Sequence, residues 1–346
     1  VVAQPGLQFL NPADARWIEF AQAQPEANIF HHPAWMEVLA ACYGYRGFIA
    51  ALCDGQGGIQ AGLPVMEINS RLTGRRWVSM PFSDHCAPLS TGAEALLALK
   101  DGLGELARQP RTPRIELRSS LFNASLAPPS ALFALHTMPL QPDPAAVERN
   151  VHPMHLRNIR TARKNEVRTV RTTGPDGLEQ FYRLHLNTRR KQGMPVQPLR
   201  FFRLLQAKII ERGLGYVLLA RANDACIAGA VFLHWGQTLT YKYGASDQAR
   251  LSLRPNNLIF WEAIAWGCAN GYKMLDLGKT DLENEGLRQF KERWGAEESV
   301  LRYTTLAQNP APSAESFFGG VLKAVIRNTP PVVCRITGEL LYKHYG

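Results

Sequence analysis

Leu239-Thr-Tyr-Lys-Tyr-Gly-Ala-Ser-Asp247 leads to Arg254-Pro-Asn-Asn-Leu258, which opens an apolar run. Asp276-Leu-Gly-Lys-Thr-Asp281 follows, and then Gly286-Leu-Arg-Gln-Phe-Lys-Glu-Arg-Trp-Gly295. The order predicts strand, helix, strand, helix, with polar and cationic residues where elements begin or end. Such termini display unpaired backbone groups beside side chains, so functional groups gather there. The rest of the chain is read outward from this stretch.

Upstream of it the periodicity predicts a strand over 167–172 and a helix from Pro175 to Arg190, with Leu178, Phe181, Tyr182 and His185 on its core stripe. A second helix spans 201–211, stopped by Gly213. Strands over 215–221 and 226–234 precede the strand at 238–244. A helix over 256–269, a strand over 273–277, a helix over 285–294 and a strand over 299–304 complete this half. The first half reads as helices from Asn11 and over 34–42. Strands over 48–53 and 59–68 then flank Asp54-Gly-Gln-Gly-Gly58, a strong hairpin signal. A strand at 76–80 runs into the loop Pro81–Pro88, followed by a helix over 93–108 and a strand over 114–118. Both halves therefore share two helices, three strands, a helix and a strand. That is a repeat of architecture with little sequence identity, and repeats of this kind redirect the fold assignment.

The chain of 346 residues carries 46% hydrophobic and 20% charged residues, the balance of a folded globular protein with room for two domains. Its six cysteines form no Cys-x-x-Cys pair, which argues against a zinc ribbon or a disulfide scaffold. No leader pattern is visible, and no apolar run approaches the ~20 residues that span a bilayer. The expectation is a cytoplasmic protein, with peripheral contact at the inner membrane as an option. The net charge of +10 points to anionic or phosphorylated small-molecule or carrier substrates, with tRNA among the candidate partners, or serves solubility alone. Arg157, Arg160, Arg163 and Lys164 share one helical face, suited to phosphates or simply solvated. Two apolar-basic pieces, 317–327 and 332–345, end the chain; they lie on a membrane surface or fold back on the body.

The strand order of the second half resembles the GNAT acyltransferase superfamily, and the tandem arrangement resembles its Fem-like (FemAB) branch. The residues that carry the resemblance are Tyr241-Lys-Tyr-Gly-Ala-Ser246, Arg254-Pro-Asn-Asn-Leu258 with Trp261-Glu-Ala-Ile264, Gly271 to Asp276 with Gly278, and Gly286 to Gly295. In the first half, Ser79-Met-Pro-Phe-Ser-Asp84 resembles the loop after the third strand. The whole is similar to FemAB-like proteins associated with exopolysaccharide or exosortase systems. The resemblance implies an α/β chain of mixed sheets: two tandem GNAT-like domains, 1–143 and 144–307, with the donor site in the second, and an apolar-basic tail, 308–346. Fem proteins transfer amino acids from aminoacyl-tRNA to peptidoglycan precursors. The implied activity is transfer of an acyl or aminoacyl group to an amine of a cell-envelope or polysaccharide precursor. The rivals are acetyl-CoA-dependent acetylation of a small molecule and non-catalytic binding of RNA or membrane. No tightly bound cofactor is implied. The inserted coiled-coil arm of some tRNA-using relatives is absent, and Arg250-Leu-Ser-Leu-Arg-Pro-Asn256 lacks the glycines of a CoA pyrophosphate loop. The donor therefore stays open between acyl-CoA and aminoacyl-tRNA, and the oligomeric state is unassigned.

Acyl transfer to an amine needs a deprotonated nucleophile, donors for the oxyanion and a proton for the leaving atom. The resemblance makes Lys291, in its Phe-Lys setting, the first candidate for electrostatic stabilisation; otherwise it is a surface lysine paired with Glu292 or Glu298. Arg254, Asn256 and Asn257 precede a helix and suit a phosphate, or cap the helix. Asp281 is a candidate base or amine ligand, or a turn residue, and Asp276 a weaker one. One of Tyr241 and Tyr243 is expected to face the cleft and the other to turn away, with Tyr243 the catalytic candidate and Lys242 beside it a substrate contact. Ser83, Asp84 and His85 are candidate acceptor contacts from the first domain. No metal site is expected.

Overall fold

The computed structural model describes residues 6–121, 129–306, 326, 327 and 329–345. The chain forms two compact units, Val1–Ala134 with Val300–Ser316 and Lys343–Gly346, and Leu135–Ser299 with Phe317–Tyr342. In the sequence reading the domains followed one another as three consecutive segments; here the chain returns to each unit after leaving it.

In the first unit, β1 (Gly6–Leu10) precedes α1 (Ala15–Gln22) and α2 (Pro33–Tyr43). Next come β2 (Arg46–Cys53), β3 (Ile59–Ser70), β4 (Gly74–Val78), the short β5 (Leu89–Ser90), α3 (Ala93–Arg108) and β6 (Arg114–Leu117). β1 through β4 pair antiparallel in order, β4 pairs parallel with β6, and residues 304–306 of β13 (Glu297–Leu306) pair antiparallel with β6. A parallel pair needs a crossover, and α3 supplies it. Leu99 and Leu103 of α3 pack with Leu63, Val65 and Ile115 of the sheet. α1 and α2 bring in Trp17 and Trp35, both fully buried. The Trp17 indole donates to the His31 carbonyl at 3.0 Å, so its burial leaves no stranded donor.

The second unit repeats the pattern. Residues 135–139 of β7 (Pro129–Pro139) lead to α4 (Pro144–Glu148) and α5 (Pro153–Lys164). β8 (Arg168–Thr172), α6 (Pro175–Gln192) and α7 (Leu199–Leu205) follow, then β9 (Gly215–Ala222), β10 (Ala225–Trp235) and β11 (Thr238–Ser246). α8 (Pro255–Ala269), β12 (Met274–Asp281) and α9 (Glu285–Glu292) complete it. β8 to β11 are antiparallel and β11 pairs parallel with β12, with α8 as the crossover. β8-α6-α7-β9-β10-β11-α8-β12 thus matches β1-α1-α2-β2-β3-β4-α3-β6, with the short β5 as an addition in the first unit. α5 and α8 cover one sheet face, where Ile159, Ala162, Leu258 and Ile264 join Leu218, Phe232, Leu239, Leu275 and Leu277 in one core. Phe181, Phe201 and Phe202 from α6 and α7 pack against the opposite face through Tyr243.

Several elements differ from expectation. β1, β7 and α4 had no clear periodic signal, being short or bounded by proline. The strand expected to end at Leu277 continues to Asp281, so Asp281 closes a strand instead of lying in a loop. The helix expected over 201–211 is α7 followed by a π-helical turn, Gln206–Ile210. The second tail piece is a helix, Pro331–Tyr345. It folds back on its unit: Cys334 Sγ reaches the Met194 carbonyl at 3.2 Å and the Tyr342 hydroxyl donates to the Pro195 carbonyl at 3.3 Å. A Cβ on Gly338 would lie 1.8 Å from the Val196 carbonyl oxygen, so only glycine permits this approach. Val332, Ile336 and Leu340 form an exposed stripe on the same helix. Of the first tail piece, only residues 326 and 327 are described. Among the described residues no helix is long and apolar enough to cross a membrane.

Candidate active site

β11 and β12 are paired only at Thr238↔Met274, Leu239↔Leu275 and Thr240↔Asp276. Both strands continue well past those pairs, to Ser246 and Asp281, without a common ladder. Two local features accompany the parting. In β11 the register to β10 slips, with Phe232 opposite Tyr241 and Val231 opposite Tyr243, so Lys242 is the extra residue of a bulge. Bulges bend a strand and increase its twist. In β12, Gly278 has φ +72°, a left-handed conformation open to glycine at little steric cost.

The bulge decides where the two tyrosines point. In an unbroken strand Tyr241 and Tyr243 would share a face, because side chains alternate with period two. Lys242 breaks the alternation. Tyr241 packs on Phe260 of α8 at 4.8 Å, and burial pushes its hydroxyl up to about 12. Tyr243 instead meets His185, Phe201 and Phe202 on the α6–α7 face, at 5.7, 6.3 and 5.5 Å. The two tyrosines thus turn to opposite faces, and the bulge at Lys242 is what separates them. The Lys242 ammonium lies over the Tyr243 ring at 5.2 Å.

Asp276 is buried, and its Oδ1 accepts the Gly278 backbone N–H at 2.8 Å, an Asx-type bond at the kink. Its strand neighbours Leu275 and Leu277 belong to the α8 core, so Asp276 and its register partner Thr240 face away from it. Thr240 and Thr280 are buried, and their hydroxyls have no hydrogen-bond partner among the described residues. Asp281 is exposed at the strand end.

Lys291 is only 4% exposed, so it is not the surface lysine of the alternative reading. Its Nζ donates to the Gly278 carbonyl at 2.8 Å and the Lys279 carbonyl at 3.2 Å. The ammonium therefore grips β12 at its kink. A buried charge persists only when hydrogen-bonded, and here the carbonyls provide the bonds. Lys291 also helps hold the imidazole of buried His136 below its ordinary value, second to desolvation. His136, Glu292 and Glu298 bring possible ligand atoms within 4.8 Å of one another. Arg288, however, holds both Glu298 oxygens at 2.8 and 2.7 Å, so that carboxylate is already engaged by a guanidinium.

A 3-10 turn, Gln248–Leu253, joins β11 to α8. Arg254 stands at the N-cap of α8 with φ +59°, exposed, and Pro255 opens the helix. Asn256 Nδ2 lies 3.4 Å from Ser246 Oγ, tying the helix start to the end of β11. Asn257 is turned inward: its Nδ2 donates to His155 Nδ1 at 2.9 Å, and His155 Nε2–H donates to the Phe290 carbonyl at 3.1 Å. His155 stacks on Trp294 at 4.5 Å, and desolvation holds it below its ordinary value. The Asn257 amide N–H is thus spent on a relay from α8 to α9, while Arg254 and Asn256 remain at the mouth. Of the expected basic face, Arg157, Arg160 and Lys164 are exposed, and Arg163 pairs with Glu262 at 3.3 Å.

Ser83, Asp84 and His85 belong to the first unit. Ser83 is buried, with Oγ donating to the Met80 carbonyl at 2.7 Å, and its own carbonyl takes Arg118 Nη1 at 3.0 Å. The Asp84 carbonyl accepts the Tyr303 hydroxyl at 2.5 Å. Met80 and Phe82 both sit at positive φ, 63° and 58°, a costly conformation for bulky side chains that clusters at functional sites. The structure thus places Lys242 and Tyr243 on β11 and Asp276 on β12, with Lys291 reaching the β12 kink from α9 and Arg254 and Asn256 at the start of α8. Sequence reasoning did not find Thr240, Thr280 or His155. Gly278 inside a strand was the available signal for the kink, since interior glycines mark bulges and close approaches.

Three histidines tie stability to pH: His31 and His185, which are buried, and His234, which is half-buried. Desolvation lowers His31 and His234 to about 4 and His185 to about 3. His185 donates from Nε2 to Gln197 Oε1 at 3.1 Å and stays neutral. Their folded values lie below the unfolded value of about 6.5, so the unfolded state binds protons first as pH falls. Their contribution to stability is complete above about pH 6.5 and is lost as pH falls through their folded values. Urea unfolding is expected to give a constant midpoint from about pH 8 to 7 and a falling one below about 6.5. A midpoint flat down to about pH 5 would rule out neutral burial.

Residues 154–292 match the family described as acetyltransferase (GNAT) domain, which takes in α5 through α9 and the parted strands. The second unit carries a GNAT domain, and the chain has a tandem GNAT fold. It is similar to the crystal structure of FemX, at 14% identity and a TM-score of 0.68, over 88% of this chain and 97% of that one. It is also similar to the C-terminal domain of a protein from Agrobacterium fabrum assigned as a lysylphosphatidylglycerol synthetase (13%, TM-score 0.55, 91% and 96% covered). A tandem GNAT protein of the clavulanic acid biosynthesis pathway matches at 12% identity and a TM-score of 0.54, with 89% and 100% covered. No curated protein matches the chain in sequence.

Proposed function

We propose that this GNAT-fold protein is an N-acyltransferase that moves an acyl or aminoacyl group onto an amine of a cell-envelope or polysaccharide precursor. The observation that carries the reading is the parting of β11 and β12, with a buried ammonium gripping the kink on one side and the start of α8 on the other. Past Thr240, backbone groups on the β12-facing edge of β11 have no ladder partner in β12, so they can receive a carbonyl. Lys291 adds positive charge beside that place, where a tetrahedral oxyanion would develop. The acceptor amine must reach it as the free base. Asp276 and Asp281 are the carboxylates on β12 that could take its proton, and Tyr243 is positioned on the opposite face from the α8 core to orient it.

The donor's phosphates would rest at the first turn of α8, where Arg254, Asn256 and the helix dipole favour anions. That feature serves acyl-CoA and aminoacyl-tRNA alike. The exposed basic face of α5 and the similarity to FemX support the second, and the tandem GNAT protein supports the first. The lysylphosphatidylglycerol synthetase domain makes envelope acceptors reasonable. Ser83, Asp84 and His85 are retained as acceptor contacts because the loop that holds them is strained. The exposed stripe of Val332, Ile336 and Leu340, flanked by Arg335 and Lys343, supports peripheral membrane contact.

The test is a transfer screen read by mass spectrometry. Charged tRNA and acyl-CoA are offered side by side with amino sugars and muramyl peptides. One donor should be consumed with a matching mass gain on an amine. Consumption of neither, with any envelope amine, sinks the reading.

A further inference from the structure

Helices α6 and α7 and the π-helical turn line a half-open cavity of about 260 Å³ that no step above uses. Leu178 and Phe202 provide apolar wall, and both are buried. Gln206 lines the same cavity at the point where α7 gives way to the π-helical turn. π turns inside helices recur at functional sites because one extra residue re-aims the side chains around it.

Gln206 is only 5% exposed. Its Nε2 donates to the Thr173 carbonyl at 2.7 Å, which fixes the amide so that the other end is the oxygen. That oxygen, Oε1, is buried and has no partner among the described residues. A buried acceptor without a donor is costly, so the position asks for an N–H or O–H from outside the chain. Glu211 places its carboxylate beside the same amide, 3.4 Å from Nε2, and Glu179 stands on the cavity wall as well. Arg203 is the single cation of the lining, and Arg183 holds Glu179 at 3.0 Å, so Glu211 is the carboxylate left beside Gln206.

We propose that this cavity binds a primary ammonium carried on a short apolar chain. The ammonium would donate to Gln206 Oε1 and to the Glu211 carboxylate, while the hydrocarbon lies on Leu178 and Phe202. Phe202 is also the ring that meets Tyr243 at 5.5 Å. The cavity is therefore one aromatic ring away from the β11 face that carries Tyr243, and its occupant stiffens that face. The proposal stands on the cavity's own chemistry and does not require the transfer activity.

Titration calorimetry on the full chain tests it, with 3-methylbutan-1-amine as probe and 3-methylbutanoic acid as the matched anion. Saturable binding of the amine is expected, with the acid weaker by at least about tenfold. Ala207 lines the cavity and is exposed, so Ala207→Trp should fill the mouth and remove the amine's binding without lowering the unfolding midpoint. Gln206→Leu should remove it too, if that variant folds. No saturable binding by the folded wild type, equal binding of the acid, or unchanged binding by Ala207→Trp would each overturn the proposal.

Discussion

Replacing Lys291 by alanine is expected to lower the transfer rate by about 10²–10³-fold, the loss found when one donor to a developing oxyanion is removed. The reason is its placement. The Nζ is buried and donates to the carbonyls of Gly278 and Lys279, on the strand that parts from β11. Truncation does two things at once. It removes a positive charge beside the reacting carbonyl, and it strands two strand carbonyls, at a cost of about 1–3 kcal/mol each where they stay buried. Two further variants separate these effects. Lys291→Met keeps the stem and fills the space, so it should recover part of the lost stability and none of the rate. Lys291→Arg keeps the charge but not its geometry, because a planar guanidinium does not replace a compact ammonium. The measurements are turnover at saturating substrate and the urea midpoint. If Lys291→Met retained more than about a tenth of the wild-type turnover, the loss of barrier stabilisation would be under about 1.4 kcal/mol. Lys291 would then be a prop for β12 and no more.

The burial of Lys291 could not be read from the sequence. α9 spans eight residues, most of them polar, and lysine in such a helix is normally solvated. Its partners lie 13 and 12 residues away at a kink marked only by Gly278. The repeat was legible for the opposite reason. It rests on periodicity and on turn residues, which are local: Asp54-Gly-Gln-Gly-Gly58 turns one hairpin, and Pro255 opens α8. The start of α8 was legible as a set of polar groups but not in its division of labour. Nothing near Asn257 in sequence points to His155, 102 residues earlier. Only the packing of α5 on α8 brings them together and takes the asparagine away from the mouth. The same limit applies to the tyrosines. Strand alternation would place Tyr241 and Tyr243 on one face, and only the extra residue opposite Val231 and Phe232 separates them.

Gly244→Ala offers the other large effect, and it tests that separation directly. Tyr241 folds its ring over β11, and a Cβ at position 244 would lie 1.8 Å from the Tyr241 hydroxyl and 2.9 Å from the ring carbon that bears it. The ring cannot retreat easily. It is held at 4.8 Å by Phe260 and at 5.6 Å by Phe232. Overpacking in such a place costs about 1–3 kcal/mol, and the strand must shift to relieve it. Gly244 lies past Thr240, where β11 has left β12, so the shift would fall on the cleft itself. Loss of transfer activity should accompany the lower unfolding midpoint. Tyr241→Phe removes the hydroxyl that makes the nearest contact. In that background the alanine should be tolerated far better, with a coupling of about 1 kcal/mol or more between the two sites. The remaining 2.9 Å approach to the ring carbon means the rescue should be partial. A cycle with no coupling would show that Tyr241 does not lie over Gly244. The bulge at Lys242, which turns Tyr241 toward α8 and Tyr243 toward α6 and α7, would then have lost its support.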